Sequence, residues 1–371
     1  MRICVDIQAA VAQRAGVGRY TQQLVEHLGP LVGADRLSLF YFDFKRRGLS
    51  FPTPHAEHQA VHWCPGRLAE QAWKRLQWPP FNWFSGKADL YHFPNFTIPP
   101  LSCGRKVVTI HDMGFVRFPE FTEERNLRHL TAGIHRTAAQ ADAIITISKF
   151  SAQEVATLLH VNPTRIHPIH LGVSSDYCRP APDRIEALRR QYGLHRPYLL
   201  AVGTLEPRKN IPFLVEVFED LKDFDGDLVI AGMRGWKYEP ILERIRTSPH
   251  SARIRFLEYV AEADLPALYA GAEVFVLASH YEGFGLPPLE AMACGTPVVS
   301  SGGGSLTEVL GTAARIVPGF DRAEWVQVIS RLLSDATQRQ ALSLAGLRHA
   351  AGFSWTETAR KTFDVYREVA G

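Results

Sequence analysis

A chain of 371 residues exceeds one ordinary hydrophobic core and accommodates two domains. Hydrophobic residues at 46% and charged residues at 21% describe an ordinary globular protein and exclude extended disorder. The excess of 41 Lys+Arg over 38 Asp+Glu is only +3, too small for a chain built around nucleic acid.

The first residues, MRICVDIQ, carry one basic residue, a short apolar run and then an acid. They lack a signal peptide's apolar core and cleavage site and read as a buried first strand. No stretch reaches the roughly 20 apolar residues of a membrane span. A cytoplasmic location follows, with peripheral contact at the inner face of the cell membrane left open. The five cysteines, Cys4, Cys64, Cys103, Cys178 and Cys294, are odd in number, scattered and without CxxC spacing, which argues against a disulfide frame or a zinc site.

Short β-rich runs then alternate with amphipathic stretches, the pattern of α/β domains whose parallel sheets are covered by helices. In the first half ICVDI, LSLFYF, DLYHF, KVVTIHD and AIITIS are predicted strands, with helices such as 18–28 and 150–159 between them. After strand one, QAAVAQRAGVGRY offers Gly16 and Gly18 ahead of a helix; alone such a GxG is a weak signal. Arg19 either adds positive charge there or is a solvated first-turn residue. The segment Arg67 to Phe84 mixes Arg67, Lys74 and Arg75 with Trp73, Trp78, Phe81, Trp83 and Phe84. Basic residues beside aromatics suit an interfacial helix on anionic lipid, and core packing explains the same aromatics. His111 and Asp112 end a buried strand, the edge where parallel sheets place their sites, though a histidine there is often a satisfied core group. Lys149, after AIITIS, reads as a surface residue beside a helix cap.

Near residues 171–196 the pattern changes to a turn- and proline-bearing stretch, GVSSDYCRPAP, which reads as a linker. A second series follows, with PYLLAVGT, DLVIAG, IRFLEYV, VFVLAS, PVVSS and ARIVP as strands. The predicted domains are residues 1–172 and 173–350, with 351–371 a final helix packing back on the first. Ser354 and Glu357 have capping-box spacing at that helix's start. Two facing nucleotide folds make a cleft at their strand ends.

The most informative stretch is YEGFGLPPLE, residues 281–290. Glu282 and Glu290 flank Gly283 and Gly285, glycines that allow positive φ and a row of backbone amides aimed at one anion or hydroxyl cluster. Pro287 and Pro288 set up a helix whose first amides face the same place. The plainer reading makes one glutamate a solvated residue and the other a cap. GTLEPRKN, residues 203–210, ends a strand at Gly203 and presents Arg208 and Lys209 before Asn210, the expected helix start. Adjacent cations suit a diphosphate, although they also read as exposed helix-leading charges. Their position opposes the helix dipole unless an anion is shared there.

GTLEPRKN together with EGFGLPPLE, AMACGTPVVSS and the ending FSWTETARKTFDVYREV resembles glycosyltransferase family 4 over almost the whole chain. The resemblance implies the two-domain GT-B fold and retention of anomeric configuration, the leaving phosphate taking the acceptor proton. It implies that Glu282 meets hydroxyls of the donor sugar, that Glu290 binds the ribose, and that Arg208 and Lys209 hold the diphosphate. The backbone of Gly283, Phe284, Gly285 and Leu286 would line sugar and phosphate, with Gly203 beside them. The loop of Gly16 and Gly18 would lie close to the diphosphate and acceptor, and His111 would contact the donor sugar at its C6 hydroxyl. His111, Glu282, Arg208 and Lys209 are thus the expected catalytic set. No cofactor and no metal are expected, because cations of the protein can meet the charge of the leaving group and no Asp-x-Asp motif stands at a strand end.

Likeness to bacterial polysaccharide and O-antigen mannosyltransferases, in VGTLEPRKN and TIHDMGF, makes GDP-mannose the first choice of donor and UDP-glucose or another hexose donor the alternative. The expected acceptor is a glycan or polyprenyl-linked glycan of cell-surface polysaccharide synthesis. Competing readings on the same frame are a sugar-nucleotide epimerase or hydrolase and a silent nucleotide-sugar binding protein; the joint presence of Arg208, Lys209, Glu282, Glu290 and His111 speaks against silence.

Overall fold

The computed structural model describes residues 1–12 and 16–371, with residues 125, 126 and 129 followed through the backbone alone. Its strands form two all-parallel sheets. The first contains β1 (Arg2–Asp6), β2 (Arg36–Phe42), β3 (Ala56–Val61), β4 (Leu90–Phe93), β5 (Arg105–Ile110), β6 (Ala143–Thr146) and β7 (Ile166–Pro168), in the order β3-β2-β1-β4-β5-β6-β7. The second contains β8 (Tyr198–Val202), β9 (Asp227–Ala231), β10 (Ile254–Phe256), β11 (Val274–Leu277), β12 (Val298–Ser301) and β13 (Arg315–Val317), in the order β10-β9-β8-β11-β12-β13.

Strands covered by helices on both faces need apolar residues at every position rather than at alternate ones. LYHF in β4, AIIT in β6, VFVL in β11 and VVSS in β12 are accordingly buried throughout. Two strands have no such run and are absent from the sequence reading. β3, AEHQAV, is an edge strand that exposes Glu57 and His58, and β7, IHP, is a three-residue edge strand ending in proline. The expected strand IRFLEYV is confined to its first three residues.

The chain divides into two compact units: residues 1–113, 128–172 and 355–371 form one, and residues 114–127 and 173–354 the other. In the first, Ile3, Val5, Leu39, Val107 and Ile144 are fully buried. The final helix, Trp355–Ala370, belongs to it and is tied in by polar contacts as well as packing. Tyr366 shares a 2.6 Å hydrogen bond with Nδ1 of His92, and Thr358 donates one of 2.7 Å to the His170 carbonyl. In the second, Leu214, Val217, Val276, Val299 and Trp325 belong to one core. No helix among the described residues is long and apolar enough to cross a membrane.

Sheet order reverses between β1 and β4 in the first unit and between β8 and β11 in the second. Such reversals spread the loops leaving the two central strands apart and open a crevice at their carboxyl ends. GTLEPRKN leaves β8 and the YEGFGLPPLE loop leaves β11, so both stretches singled out by sequence sit at one reversal.

Candidate active site

In the second unit β8 ends at Gly203, whose φ of +154° suits glycine, and a Cβ there would lie 3.2 Å from Lys209 Cε. A Cβ on Gly232, just after β9, would collide with the Gly203 carbonyl. The two glycines let neighbouring strand ends close up beside the lysine. Pro207–Lys209 then forms a single 3-10 turn. Asn210 precedes the helix Ile211–Asp220 as expected, but stands in the left-handed region with φ +52° and makes no side-chain cap. The cations therefore lie on the preceding turn, where its i to i+3 geometry places them, and not within the helix itself.

The second loop is built with equal economy. Of its two glycines only Gly285 has positive φ, +103°, correcting the expectation for Gly283. Gly285 precedes the helix Leu286–Ala293, which carries prolines in its first turn and no side-chain cap. Behind the loop, Ser305 donates from its backbone N–H to the Glu282 carbonyl at 2.9 Å and from its hydroxyl to the carbonyls of Glu282 and Phe284 at 3.1 Å each. A Cβ on Gly304 would meet the Glu282 backbone, so the GGGS run of residues 302–305 is a close-fitting support. Phe284 is buried and sets its ring edge against Phe353.

These loops bring four charged side chains together. Lys209 Nζ donates to Glu282 Oε1 at 2.6 Å, and Arg208 Nη1 donates to Glu282 Oε2 at 2.8 Å and to the Tyr281 carbonyl at 2.6 Å. Arg208 Nη2 pairs with Glu206, a residue the sequence reading passes over although it stands inside the same motif. Ser279, also missed, donates to Glu282 Oε1 at 2.6 Å. Burial pushes the Glu282 carboxyl up, but Arg208 and Lys209 outweigh it and hold it at about 2, so the group is ionised. For Glu206 burial prevails over the same two cations, with Glu282 adding to the upward push, and its carboxyl lies above its ordinary value.

Buried ion pairs of this kind add little net stability, because desolvation offsets the Coulomb gain. Their value here is geometric: two cations are fixed at the end of β8, and their shared partner Glu282 lies on the loop that leads into the helix Leu286–Ala293. Glu290 lies on that helix, 3% exposed, and accepts a 2.9 Å hydrogen bond from Tyr269. Both glutamates are thus buried and bonded, which removes the reading as solvated residue and cap. The segment 114–127 also belongs to this unit, and Phe121 stacks on His280 at 5.0 Å while Phe118 meets Tyr281 at 5.8 Å.

The first unit holds the remaining expected residues. His111 directly follows β5, 7% exposed, with Nε2 2.8 Å from the Pro94 carbonyl and its ring edge-on to Tyr20 at 4.9 Å. A carbonyl only accepts, so Nε2 carries the proton. Burial lowers the ring's pKa despite that bond and Asp112, leaving a neutral imidazole with an Nδ1 lone pair. Gly16, with φ +58°, precedes the helix Val17–Leu28, and among the described residues, its chain neighbours aside, no atom lies within 4 Å of where its Cβ would be. Gly18 is buried in that helix. Residues 13–15 of the glycine loop lie outside the described residues.

The description "Glycosyltransferase Family 4" matches residues 14–177 and "Glycosyl transferases group 1" matches residues 184–348. O-antigen chain mannosyltransferase B of Escherichia coli is 33% identical over 95% of this chain and 96% of its own length. The chain belongs to glycosyltransferase family 4. Sucrose-phosphate synthase from Thermosynechococcus elongatus has the same fold, with a TM-score of 0.78 at 21% identity, covering 99% of this chain and 98% of its own. So does HepE from Anabaena, solved with UDP-glucose, with a TM-score of 0.75 at 17% identity and 99% and 100% coverage. The glycosyltransferase fold is GT-B, two units each with a parallel sheet.

Proposed function

We propose that this glycosyltransferase transfers mannose from GDP-mannose, with retention, to a glycan or polyprenyl-linked glycan at the inner face of the cell membrane. The observation that carries the reading is the near full-length similarity to an O-antigen chain mannosyltransferase, joined to a cation cluster at the sheet reversal.

Departure of a nucleoside diphosphate leaves negative charge on its oxygens, and catalysis requires fixed positive charge at that place. Arg208 and Lys209 supply it, with the first amides of the helix Leu286–Ala293, and no divalent metal is called for. Glu282 already accepts from Lys209 and Ser279 on Oε1 and from Arg208 on Oε2. A carboxylate has about four acceptor sites, so Oε2 keeps one for a donor-sugar hydroxyl. Glu290 takes the ribose. The Nδ1 lone pair of neutral His111 accepts a hydrogen bond from the sugar's C6 hydroxyl. The acceptor oxygen attacks the anomeric carbon on the face from which the diphosphate leaves, the bond to the phosphate oxygen breaks, and that oxygen takes the acceptor's proton.

Calorimetric titration of purified protein in EDTA with GDP, UDP, GDP-mannose and UDP-glucose tests this. Tight GDP and GDP-mannose binding is expected. A preference for UDP would replace the donor while keeping the site, and no binding of any of the four would overturn the reading.

A further inference from the structure

The segment between residues 43 and 87 carries seven Lys and Arg against three Asp and Glu, a net +4 where the whole chain has +3. It also leaves six large apolar side chains open to solvent: Phe44, Trp63, Leu68, Leu76, Trp78 and Trp83, each 54–70% exposed. The structure sorts the aromatics of the stretch into two layers. Phe81 is buried, and Trp73 and Phe84 pack 5.9 Å apart over it and Phe42. The indole N–H of Trp73 is satisfied by the Pro79 carbonyl at 2.7 Å. Core packing accounts for this layer.

It does not account for the outer one. Trp83 lies 5.5 Å from Trp78 and 6.5 Å from Trp63, and Trp63 stacks on Phe84 at 5.3 Å, so three exposed indoles form one patch. Among the described residues none of the three donates a hydrogen bond through its indole nitrogen. Contiguous exposed aromatics mark a surface that something covers.

Charge identifies the occupant. The helix Gly66–Leu76 exposes Arg67, Lys74 and Arg75. On the other side, the loop after β2 exposes Lys45, Arg46 and Arg47 and is folded by Asp43, whose carboxylate accepts from the Arg47 and Gly48 amides at 2.8 and 3.0 Å. That loop adjoins the patch, since the Asp43 carbonyl is 2.8 Å from Nδ1 of His62, the neighbour of Trp63. Among the described residues no ion pair engages Lys45, Arg46, Arg67, Lys74 or Arg75. A second copy would bring like charge against like charge across a two-fold axis. Tryptophans with unpaired cations beside them match the boundary of an anionic bilayer, where indoles lie among the headgroups and Lys and Arg meet the phosphates.

We infer that this face of the first unit binds an anionic phospholipid surface, with Trp63, Trp78 and Trp83 in the headgroup layer. The inference rests on the proposed function in one respect: an acceptor carried by a lipid gives the contact its purpose.

Full-length protein is mixed with vesicles of phosphatidylglycerol and phosphatidylcholine, or of phosphatidylcholine alone, and sedimented, with tryptophan emission recorded in parallel. Wild type should partition onto the anionic vesicles, with a blue shift, and come off as salt is raised. Trp78→Ser combined with Trp83→Ser, and separately Lys74→Glu combined with Arg75→Glu, should each lower partition about tenfold or more, the first by removing interfacial indoles and the second by turning attraction to anionic lipid into repulsion. The charge reversals lie on exposed side chains and keep the test decisive if the tryptophan variant does not fold, which circular dichroism reports. Unchanged partition in a folded variant would overturn the inference. So would a wild type that ignores vesicles, whether it stays single or self-associates through the tryptophans. Vesicle binding without transfer to a lipid-linked acceptor would instead sink the proposed function and leave this surface assigned.

Discussion

The two sheets place their buried polar groups at comparable strand ends but treat charge oppositely. At the end of β8 and β11, Glu206, Arg208, Glu282 and Lys209 are four ionisable groups linked in that order by ion pairs, two of each sign. Around β4 and β5, Tyr20, His92, Thr109 and Tyr366 form a network in which nothing is charged. Burial acts on both. In the second unit each charge has a counter-charge and the dominant carboxyl stays ionised; in the first the bonded partners are hydroxyls, so burial holds His92 down at about 3 and Tyr20 well above its ordinary value. The charged end suits a diphosphate. The neutral end, with its His111 lone pair, suits hydroxyls.

The largest test of this division removes charge from the second unit. Lys209→Ala should lower the transfer rate by about a thousandfold, the scale of losing one fixed donor from a site that stabilises developing charge, and Glu282→Ala by a similar factor, because it removes the carboxylate that holds both cations in place. Initial rates on purified variants, with thermal midpoints to verify the fold, are the measurement. Retained activity in both would break the comparison. A smaller effect is expected from backbone geometry alone. Gly232→Ala would force the β8 and β9 ends apart at Gly203, costing about 1–3 kcal/mol of stability and weakening donor binding through Lys209. Gly203→Ala, whose Cβ meets only the flexible Lys209 stem, should cost less; the reverse order would show that the strand ends yield. In the first unit, His111→Ala should lower kcat by about tenfold to a hundredfold, the scale of one hydrogen-bond partner lost at a buried site, while leaving the affinity for the free nucleoside diphosphate unchanged. A parallel loss of nucleotide affinity would place His111 with the cation cluster and erase the distinction.

How much of this was legible from the residues depends on how each one signals. Strands buried on both faces announce themselves as apolar runs, so the sheets could be read nearly in full, and β3 and β7 escaped because edge strands carry Glu57, His58 or a terminal proline instead. The motif residues were visible because two glycine-bearing loops follow two such runs. Their mutual arrangement was not. Nothing in GTLEPRKN says that Glu206 turns back onto Arg208, nor in YEGFGLPPLE that Glu282 points at Lys209, because a side chain's partner is set by the 3-10 turn and the Ser305 support rather than by local spacing. His92 was hidden for a related reason. Inside the apolar run LYHF it reads as one polar interruption, and its partners lie 17 and 274 residues away.

The smallest effect, and the most specific to the neutral end, is a dependence of stability on pH. His92 bonds through Nδ1 to Tyr366 and through Nε2 to Thr109, so both nitrogens are occupied by hydroxyls and neither faces a carboxylate. Burial first, and then the nearby His111, lower its pKa from the ordinary 6.5 to about 3. The unfolded chain therefore binds a proton that the folded one refuses. Stability contributed by the neutral ring is complete above about pH 6.5 and is lost as pH falls towards 3, at up to about 1.4 kcal/mol per pH unit for a single group. His111, lowered in the same direction, adds to the slope. Glu282 loses stability on acidification too, but only below its ordinary 4.5 and down to about 2. Burial pushes Asp6 up to about 6 and Glu206 above its ordinary value; these carboxyls gain stability as pH falls and work against the histidines, so the loss above 4.5 comes from the histidines. His92→Gln keeps a donor and an acceptor and removes the titration. Its thermal midpoint should start lower than wild type at neutral pH and fall less steeply between about pH 6.5 and 5, whereas Glu282→Ala should keep the wild-type slope there and flatten it only in stronger acid. Equal slopes in wild type and His92→Gln would mean that the ring accepts its proton without loss, and that the first unit is not the neutral counterpart of the second.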